Sequence, residues 1–174
     1  VAQTPRQWVS GGAVADAVIA RHGDQVVVVD CGPEPRGEAS LASTPIAELD
    51  LAASNHIVIG EGAEALSISA QAVEEWKLLM AIALAGLSRE SIRQAAEYAC
   101  ERMAFGQLIG TYQGISHPLA DLITDVDGGK YFTWKTIHDI DKGLPTAGAQ
   151  ISMALWWNAD TAARAVAQAL HTLG

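Results

Sequence analysis

Residues 98–113, YACERMAFGQLIGTYQ, are the stretch on which the fold prediction depends. A helix arriving from the N-terminal side is expected to end near Phe105 and Gly106, because glycine readily adopts the left-handed conformation that closes helices. Arg102 would then lie on the last turn, where a cation interacts favourably with the negative end of the helix dipole. Gln113 would lie one turn into the next helix as a solvated polar side chain. By itself, this pattern predicts two helices joined at a glycine.

Three long helical segments extend from this junction in both directions. From about Ala65 the composition changes towards Ala, Leu, Glu and Gln, and apolar residues recur at three- and four-residue steps over about thirty residues. The apolar positions that predict this first helix are Ala72, Trp76, Leu79, Met80, Ala83, Leu84, Leu87, Ile92, Ala95, Tyr98 and Ala99. A second helix is predicted over 112–141 and a third over 146–172. Because the connecting loops are short, the helices are expected to be antiparallel neighbours in a bundle.

Gly86, Pro118 and the pair Gly128 and Gly129 interrupt the helical pattern. Pro118 lacks a backbone donor and clashes with the preceding turn, which predicts a kink or a later start of the second helix. Glycine inside a helix costs about 1 kcal/mol relative to alanine, so Gly86 is expected at a point of close packing. The adjacent glycines weaken the second helix further, and that helix therefore needs packing against its neighbours.

The N-terminal part of the chain carries strand signals instead. Residues 25–30, QVVVVD, and 55–60, NHIVIG, are short runs rich in β-branched residues, which is typical of buried or half-buried strands. Residues 13–21 fit either a helix or a strand, and the flanking glycines favour a strand. Residues 33–43 are rich in Pro, Gly, Ser and Glu and predict a loop.

The composition describes one ordinary domain or parts of two. The chain has 174 residues, 49% of them hydrophobic, and its formal net charge of -9 with no basic patch argues against nucleic acid as a partner. Cys31 and Cys100 lie far apart and indicate neither a disulfide framework nor a zinc site. No apolar run reaches the roughly 18 residues that a membrane helix needs, so we expect no membrane association and a cytoplasmic location. Because the chain opens on Val1 and stops at Gly174, we expect a fragment.

Taken together, residues 98–121 resemble the signature of the C-terminal helical domain of the acyl-CoA dehydrogenases. That signature reads Tyr-x3-Arg-x2-Phe-Gly-x2-Ile/Leu-x3-Gln, followed by an aliphatic residue, often a His, and Ala-Asp. The matching residues are Tyr98, Arg102, Phe105, Gly106, Ile109, Gln113, Ile115, His117, Ala120 and Asp121. Five fixed identities at about one in twenty each arise by chance at roughly 3 in 10⁷ start positions. The segment from Gly11 also resembles the middle β-domain of these enzymes, and residues 169–174 resemble their A-x-Gln-x-x-Gly-Gly-x-Gly motif, cut short.

The resemblance implies an α+β flavoenzyme with an N-terminal helical domain, a middle β-domain and a C-terminal helical bundle. This chain would hold a partial middle β-domain over residues 1–66 and an incomplete antiparallel helical bundle over 67–174. The family further implies homo- or hetero-oligomers, typically tetramers, that assemble through the helical domain. It also implies an electron acceptor of the electron-transfer-flavoprotein type.

In this family the signature residues reach across a subunit interface to the pyrophosphate and adenosine part of a neighbour's FAD. By match, the cofactor contacts implied here are Arg102, Phe105, Ile109, Tyr112, Gln113 and His171. A guanidinium offers forked donors that suit phosphate oxygens, which agrees with the role implied for Arg102. His171 stands where the family usually has Gln, and imidazole can donate only one hydrogen bond in that place.

The implied reaction is α,β-dehydrogenation of an acyl-CoA thioester in fatty acid or steroid side-chain degradation. A carboxylate removes the α proton while the β hydride passes to the flavin, and hydrogen bonds to the thioester carbonyl stabilise the enolate. The family's base is a Glu beyond the Gly-Gly-x-Gly motif or on the first helix of the bundle. Trp76 occupies the second of these positions and cannot accept a proton. The neighbouring Glu74 and Glu75 are predicted to be solvated charges on the helix surface. Trp76 and Met80 match positions that line the acyl pocket.

Three functional hypotheses therefore stay open. The base could lie beyond Gly174, in which case the chain belongs to a complete dehydrogenase. The chain could instead be a non-catalytic or structural partner in a heteromeric enzyme of the kind known from actinobacteria. An acyl-CoA oxidase or nitroalkane-oxidase relative would share the fold and the flavin. The five histidines share no metal-ligand spacing, so no metal site is expected. The simplest expectation for Trp76, Trp134, Trp156 and Trp157 is the bundle core or a subunit interface.

Overall fold

The computed structural model describes residues 6–32, 37, 44–51 and 53–174. Over these residues the chain forms two compact units, one ending at Ala72 and the other comprising Val73–Gly174. The first unit carries five β-strands and the second is mainly helical. The predicted α+β class, with β-domain segments followed by an antiparallel helical bundle, is confirmed.

Five strands form two antiparallel sheets in the first unit. The two-stranded sheet consists of β1 (Arg6–Ser10) and β4 (Ile46–Asp50), and the three-stranded sheet has the order β2 (Ala17–His22), β3 (Gln25–Asp30) and β5 (His56–Glu61). The strand predicted over 25–30 is confirmed with its bounds, and the other two predicted strands are confirmed with shifted bounds. β1 and β4 were missed because neither contains a run of β-branched residues. The loop predicted over 33–43 lies, apart from Gly37, outside the described residues.

A two-residue turn connects β2 to β3. His22 pairs with Gln25, and Gly23 between them has a φ of 63°, which a glycine adopts without a steric penalty. The hairpin places Val27 and Val29 on one face of the sheet, where both are fully buried in a cluster with Leu51. This apolar cluster holds the three-stranded sheet.

Three helices follow: α1 (Gly62–Glu101), α2 (Gln113–Asp141) and α3 (Ala147–Leu173). The predicted helices are confirmed, although α1 has 40 residues instead of about thirty and ends earlier than expected. The later start that Pro118 suggested for α2 is wrong. Pro118 lies inside α2 in its second turn, where only one hydrogen bond near the helix end is lost.

The helices pack through seams of small side chains. Buried positions recur at three- and four-residue steps, the spacing of coiled-coil packing, and small residues at these positions let α2 and α3 approach closely. On α1 they are Ala81, Ala85, Ser88, Ile92, Ala95 and Ala99; on α2 Leu119, Leu122, Val126, Gly129, Thr133, Thr136 and Asp139; on α3 Ala147, Ile151, Ala154, Asn158, Thr161, Ala162, Ala165, Ala169 and Thr172. Residues of all three helices, among them Ile92, Leu119 and Ala169, meet in one apolar cluster.

The apolar stripe that predicted α1 is not buried along its N-terminal half. Trp76 is 54% exposed and Leu79 is 72% exposed, whereas the smaller Ala81 and Ala85 are buried. Trp134, Trp156 and Trp157 are also exposed, so the interpretation of them as core residues is wrong for this chain. Over this part of α1 the buried side chains are small and the bulkiest ones lie on the outside. Gly86, expected at a close contact, has open space around its Cβ position.

Gly129 marks the tightest contact between α2 and α3. A Cβ atom there would lie 2.6 Å from Asn158 Oδ1 and 2.7 Å from Trp157 Cδ1. The buried Asn158 amide donates hydrogen bonds to Thr133 Oγ1 (3.0 Å) and to the Ala154 carbonyl (2.8 Å). The expectation that packing holds α2 at its glycines is confirmed at Gly129, where a Cβ atom would force the Asn158 and Trp157 side chains to shift.

Ion pairs also join the helices at their exposed edges. Arg89 of α1 lies 2.5 Å from Asp127 of α2, and Arg164 of α3 lies 2.8 Å from Asp125 of α2. The Asp125 carboxylate raises the pKa of Arg164 above its ordinary value. Exposed pairs of this kind contribute about 1 kcal/mol or less, so the seams and not the ion pairs hold the bundle together.

The neighbouring glycines of α2 provide a matched test of this contact. Gly129→Ala should lower the free energy of unfolding by about 1–3 kcal/mol, because the added methyl overlaps Asn158 and Trp157. Gly128→Ala adds a methyl at 3.7 Å from Trp157 Cζ2 and should leave stability unchanged or raise it by about 0.5–1 kcal/mol through helix propensity. Denaturant unfolding measures both. Equal effects of the two variants would contradict the close approach.

Candidate functional site

The signature segment between α1 and α2 forms a β-hairpin and a short 3₁₀ turn. β6 (Met103–Ala104) pairs with β7 (Gln107–Leu108), and the 3₁₀ turn covers Ile109–Thr111. The prediction that α1 ends at Phe105 and Gly106 is wrong, since α1 ends at Glu101. Gly106 does adopt a left-handed conformation, but it does so as a residue of the hairpin turn.

Phe105 occupies an unusual position at the tip of this hairpin. Its φ is 52° and that of Gly106 is 84°, which are the signs that a two-residue type I′ turn requires at both central residues. Such turns favour Asn, Asp and Gly, and a left-handed backbone is unfavourable by about 1–2 kcal/mol for other residues. The Phe105 side chain is 98% exposed and gains nothing from packing in this chain. A large apolar ring is thus held in a strained conformation and pointed into solvent.

The base of the hairpin is fixed to the end of α1. Arg102 donates its backbone N–H to the Tyr98 carbonyl (2.9 Å) and accepts the N–H of Ile109 at its own carbonyl (2.8 Å). In the 3₁₀ turn, a Cβ on Gly110 would lie 2.9 Å from the Ala99 carbonyl oxygen, so the turn rests directly on the last turn of α1. The segment is therefore an ordered extension of the bundle.

Tyr112 connects the hairpin to α2. Its hydroxyl donates a hydrogen bond to the Ala104 carbonyl at 3.1 Å, next to the turn. Its own carbonyl accepts the N–H groups of Ile115 (2.9 Å) and Ser116 (3.0 Å) at the start of α2. Tyr112 is half-buried, as is Ile109, so both side chains support the segment from within.

The exposed groups around the hairpin form a donor set suited to an anion. Arg102 follows α1 directly, not on its last turn as expected; its side chain is exposed and forms no ion pair within the described part of the chain. α2 begins at the exposed Gln113 without a side-chain cap or an acidic residue in its first turn, and the Cβ position of Gly114 is open. Free N–H groups at a helix N-terminus and a guanidinium both favour a phosphate group. The chemistry of these donors fits a pyrophosphate.

The other predicted site residues lie at two places in the bundle. His171 is exposed on the last turn of α3, and the cluster of Ile92, Leu119 and Ala169 places that end of α3 at the hairpin end of the bundle. Trp76 and Met80 lie one turn apart on α1, and 26 residues of helix, or about 39 Å, separate Trp76 from Arg102. His171 therefore lies at the same end of the bundle as the hairpin, and the two residues predicted for the acyl pocket lie far along α1 from it.

Glu74, beside Trp76, is not a solvated charge. Its Oε1 accepts a hydrogen bond from Lys77 Nζ at 2.7 Å, and Lys77 also donates to Ser152 Oγ of α3 at 3.1 Å. Its Oε2 is buried and has no hydrogen-bond partner among the described residues. Glu75 is exposed, as the sequence predicted. The Glu74 carboxylate is thus directed towards α3, away from the exposed side of α1 on which Trp76 lies.

No three or more His, Cys, Asp or Glu residues in the described ranges come together in a way that could hold a metal ion. None of the described helices has a stretch long and apolar enough to cross a membrane.

Comparison with known proteins identifies the family. The sequence profile of the family described as "Acyl-CoA dehydrogenase, C-terminal domain" matches residues 66–174. An acyl-CoA dehydrogenase of Bacillus subtilis is 26% identical over 117 residues, which are 67% of this chain and 31% of that protein. The chain therefore belongs to the acyl-CoA dehydrogenase family.

Solved structures share the fold. Acyl-CoA dehydrogenase from Geobacillus kaustophilus superposes with a TM-score of 0.76 at 21% identity, over 95% of this chain and 48% of that one. The ChsE4-ChsE5 complex from Mycobacterium tuberculosis gives a TM-score of 0.71 at 21% identity, over 97% of this chain and 48% of that one. The chain thus spans about half the length of these solved relatives and a smaller share of the curated ones.

Backbone strain at the hairpin tip can be measured directly. Phe105→Asn should raise the free energy of unfolding by about 0.5–1 kcal/mol, because Asn tolerates the left-handed conformation and the exposed ring makes no contact that would be lost. Phe105→Leu keeps the strain and should leave stability unchanged. Equilibrium unfolding of the FAD-free protein compares the two variants. The same unfolding midpoint for both would show that Phe105 is not strained.

Proposed function

We propose that this chain is part of an FAD-dependent acyl-CoA dehydrogenase, and that the hairpin end of its bundle binds the pyrophosphate and adenosine part of the FAD of a neighbouring subunit. The observation that carries the proposal is the exposed Arg102 beside the strained, fully exposed Phe105 at an uncapped helix N-terminus. A strained, solvent-facing aromatic residue is retained where it serves a contact outside the chain. Because the chain belongs to the acyl-CoA dehydrogenase family, we propose FAD as the ligand.

The residues proposed to touch or support the cofactor divide into three groups. Arg102 would donate forked hydrogen bonds to the phosphate oxygens, and Gln113 would add its amide at the start of α2. The Phe105 ring would cover an apolar face of the adenosine part. Ile109 and Tyr112 support the segment, and His171 would contribute one hydrogen bond from α3.

The reaction proposed for the whole protein is α,β-dehydrogenation of an acyl-CoA, either a fatty acyl or a steroid side-chain thioester. FAD, when bound, accepts the β-hydrogen as a hydride, and an electron-transfer-flavoprotein-type acceptor then takes up the electrons. The α proton must pass to a carboxylate. The contribution of this chain is to bind and orient: Trp76 and Met80 present apolar surface on α1 for the acyl group. The enzyme is proposed to be cytoplasmic and to assemble, as a tetramer, through the exposed apolar faces of its helices.

The position of Trp76 favours a second candidate, a partner subunit that lacks the catalytic base. Indole cannot accept the α proton, and Glu74 is already paired with Lys77. The intact protein, purified alone and with a co-expressed homologous subunit, separates the candidates. Bleaching of the flavin absorbance by acyl-CoA with the protein alone supports a complete dehydrogenase with its base beyond Gly174. Bleaching only with the partner supports the second candidate.

Arg102 provides the test of cofactor binding. Arg102→Ala in the intact protein should weaken FAD binding by about tenfold or more, because two charge-assisted hydrogen bonds to phosphate are lost. The FAD affinity of Arg102→Lys should lie between that of Arg102→Ala and that of the unsubstituted protein, since an ammonium keeps the charge but not the paired, forked donors of a guanidinium. Titration of the FAD-free protein with FAD, followed by flavin fluorescence, measures each affinity.

Arg93→Ala is the matched control for this test. Arg93 is also an exposed arginine of α1, but it is paired with Glu90 and Glu97 on its own helix. Its replacement should leave FAD affinity unchanged. If Arg102→Ala and Arg93→Ala bind FAD as tightly as the unsubstituted protein, the hairpin end does not hold the cofactor and the proposal is wrong.

A further inference from the structure

The Tyr112 hydroxyl uses its O–H donor within the chain. It donates to the Ala104 carbonyl at 3.1 Å, across eight residues of sequence. Ala104 directly precedes Phe105 and pairs with Gln107, so its carbonyl belongs to the residue pair that closes the turn. A carbonyl oxygen has two lone pairs and can serve the hairpin and the Tyr112 hydroxyl together.

The backbone of Tyr112 is itself held firmly. Its N–H donates to the Ile109 carbonyl at 3.1 Å, and its carbonyl accepts two N–H groups at the start of α2. The ring therefore extends from a fixed point at the base of α2 to the turn. The side chain bridges the two places that carry the proposed FAD contacts, the hairpin with Phe105 and the helix start with Gln113.

The hairpin needs such support because it is very short. Each strand has only two residues, and an isolated two-stranded hairpin is marginally stable in water. The turn also carries the strain of Phe105. One additional hydrogen bond beside the turn therefore lowers how often the hairpin opens.

We propose that Tyr112 is a positioning residue whose hydroxyl holds the hairpin in the conformation that presents Phe105 and Arg102. The expected effect of Tyr112 on FAD affinity rests on the proposed function. The expected effect of its hydroxyl on the order of the hairpin does not. Tyr112 then acts on the cofactor through Ala104 and the turn, and its own hydroxyl does not touch FAD.

Tyr112→Phe in the intact protein removes only the hydroxyl. Backbone amide exchange over residues 103–109 should become about three- to tenfold faster, because exchange follows how often the hairpin opens. The dissociation constant for FAD should also rise, by at most the same factor, because it follows the fraction of hairpin that is formed. Exchange in the buried parts of α2 should not change, because the ring and the helix contacts remain. Tyr131→Phe is the control: Tyr131 is exposed on α2, and its hydroxyl has no hydrogen-bond partner in the described part of the chain. It should alter neither measurement.

Each outcome decides one claim. Unchanged amide exchange in Tyr112→Phe would overturn the positioning role of the hydroxyl, whatever the protein binds. Faster exchange with an unchanged FAD dissociation constant would overturn its effect on the cofactor. If the unsubstituted protein has no measurable affinity for FAD, the proposed function itself fails, and the exchange data still report whether the hydroxyl orders the hairpin.

Discussion

The close approach of α2 and α3 at Gly129 is the constraint on which the helical unit depends. The Asn158 amide occupies the space where any other residue at position 129 would place a Cβ. Small side chains on α3 make this approach possible, and the buried residues of α3 are mainly Ala and Thr. The amide also satisfies its buried hydrogen-bond donors within the seam, which fixes the register between the helices.

Several of the bulkiest apolar residues of the helices lie outside the seams. Trp76, Leu79 and Trp156 are more than half exposed, which is unusual for side chains of this size. Such exposure is expected of a helical unit that belongs to a larger assembly. At the hairpin end, by contrast, all three helices meet in one apolar cluster, and this provides a rigid base from which Arg102 and Phe105 extend.

The sequence predicted the order and type of the main elements but not what they bury. Composition and period were sufficient for α1, α2, α3 and β3, because long periodic runs and a run of valines leave little ambiguity. The apolar period of α1 did not reveal which side is buried, since bulky exposed residues and small buried ones follow the same period. The hairpin was missed because Phe105 has a poor propensity for a left-handed turn, and tertiary contacts from Tyr112 and Gly110 overrule that propensity. The candidate residues at the hairpin came from the signature, not from local patterns, and only the structure gave their exposure.

The central claim is that residues 102–114 contact the adenosine side of FAD. The most direct test is photolabelling of the intact protein with an azidoadenine analogue of FAD, followed by mass spectrometry of the labelled peptides. The account predicts a label within residues 102–114 that excess FAD suppresses and that Arg102→Ala diminishes. Efficient, FAD-suppressible labelling confined to other parts of the protein would contradict it.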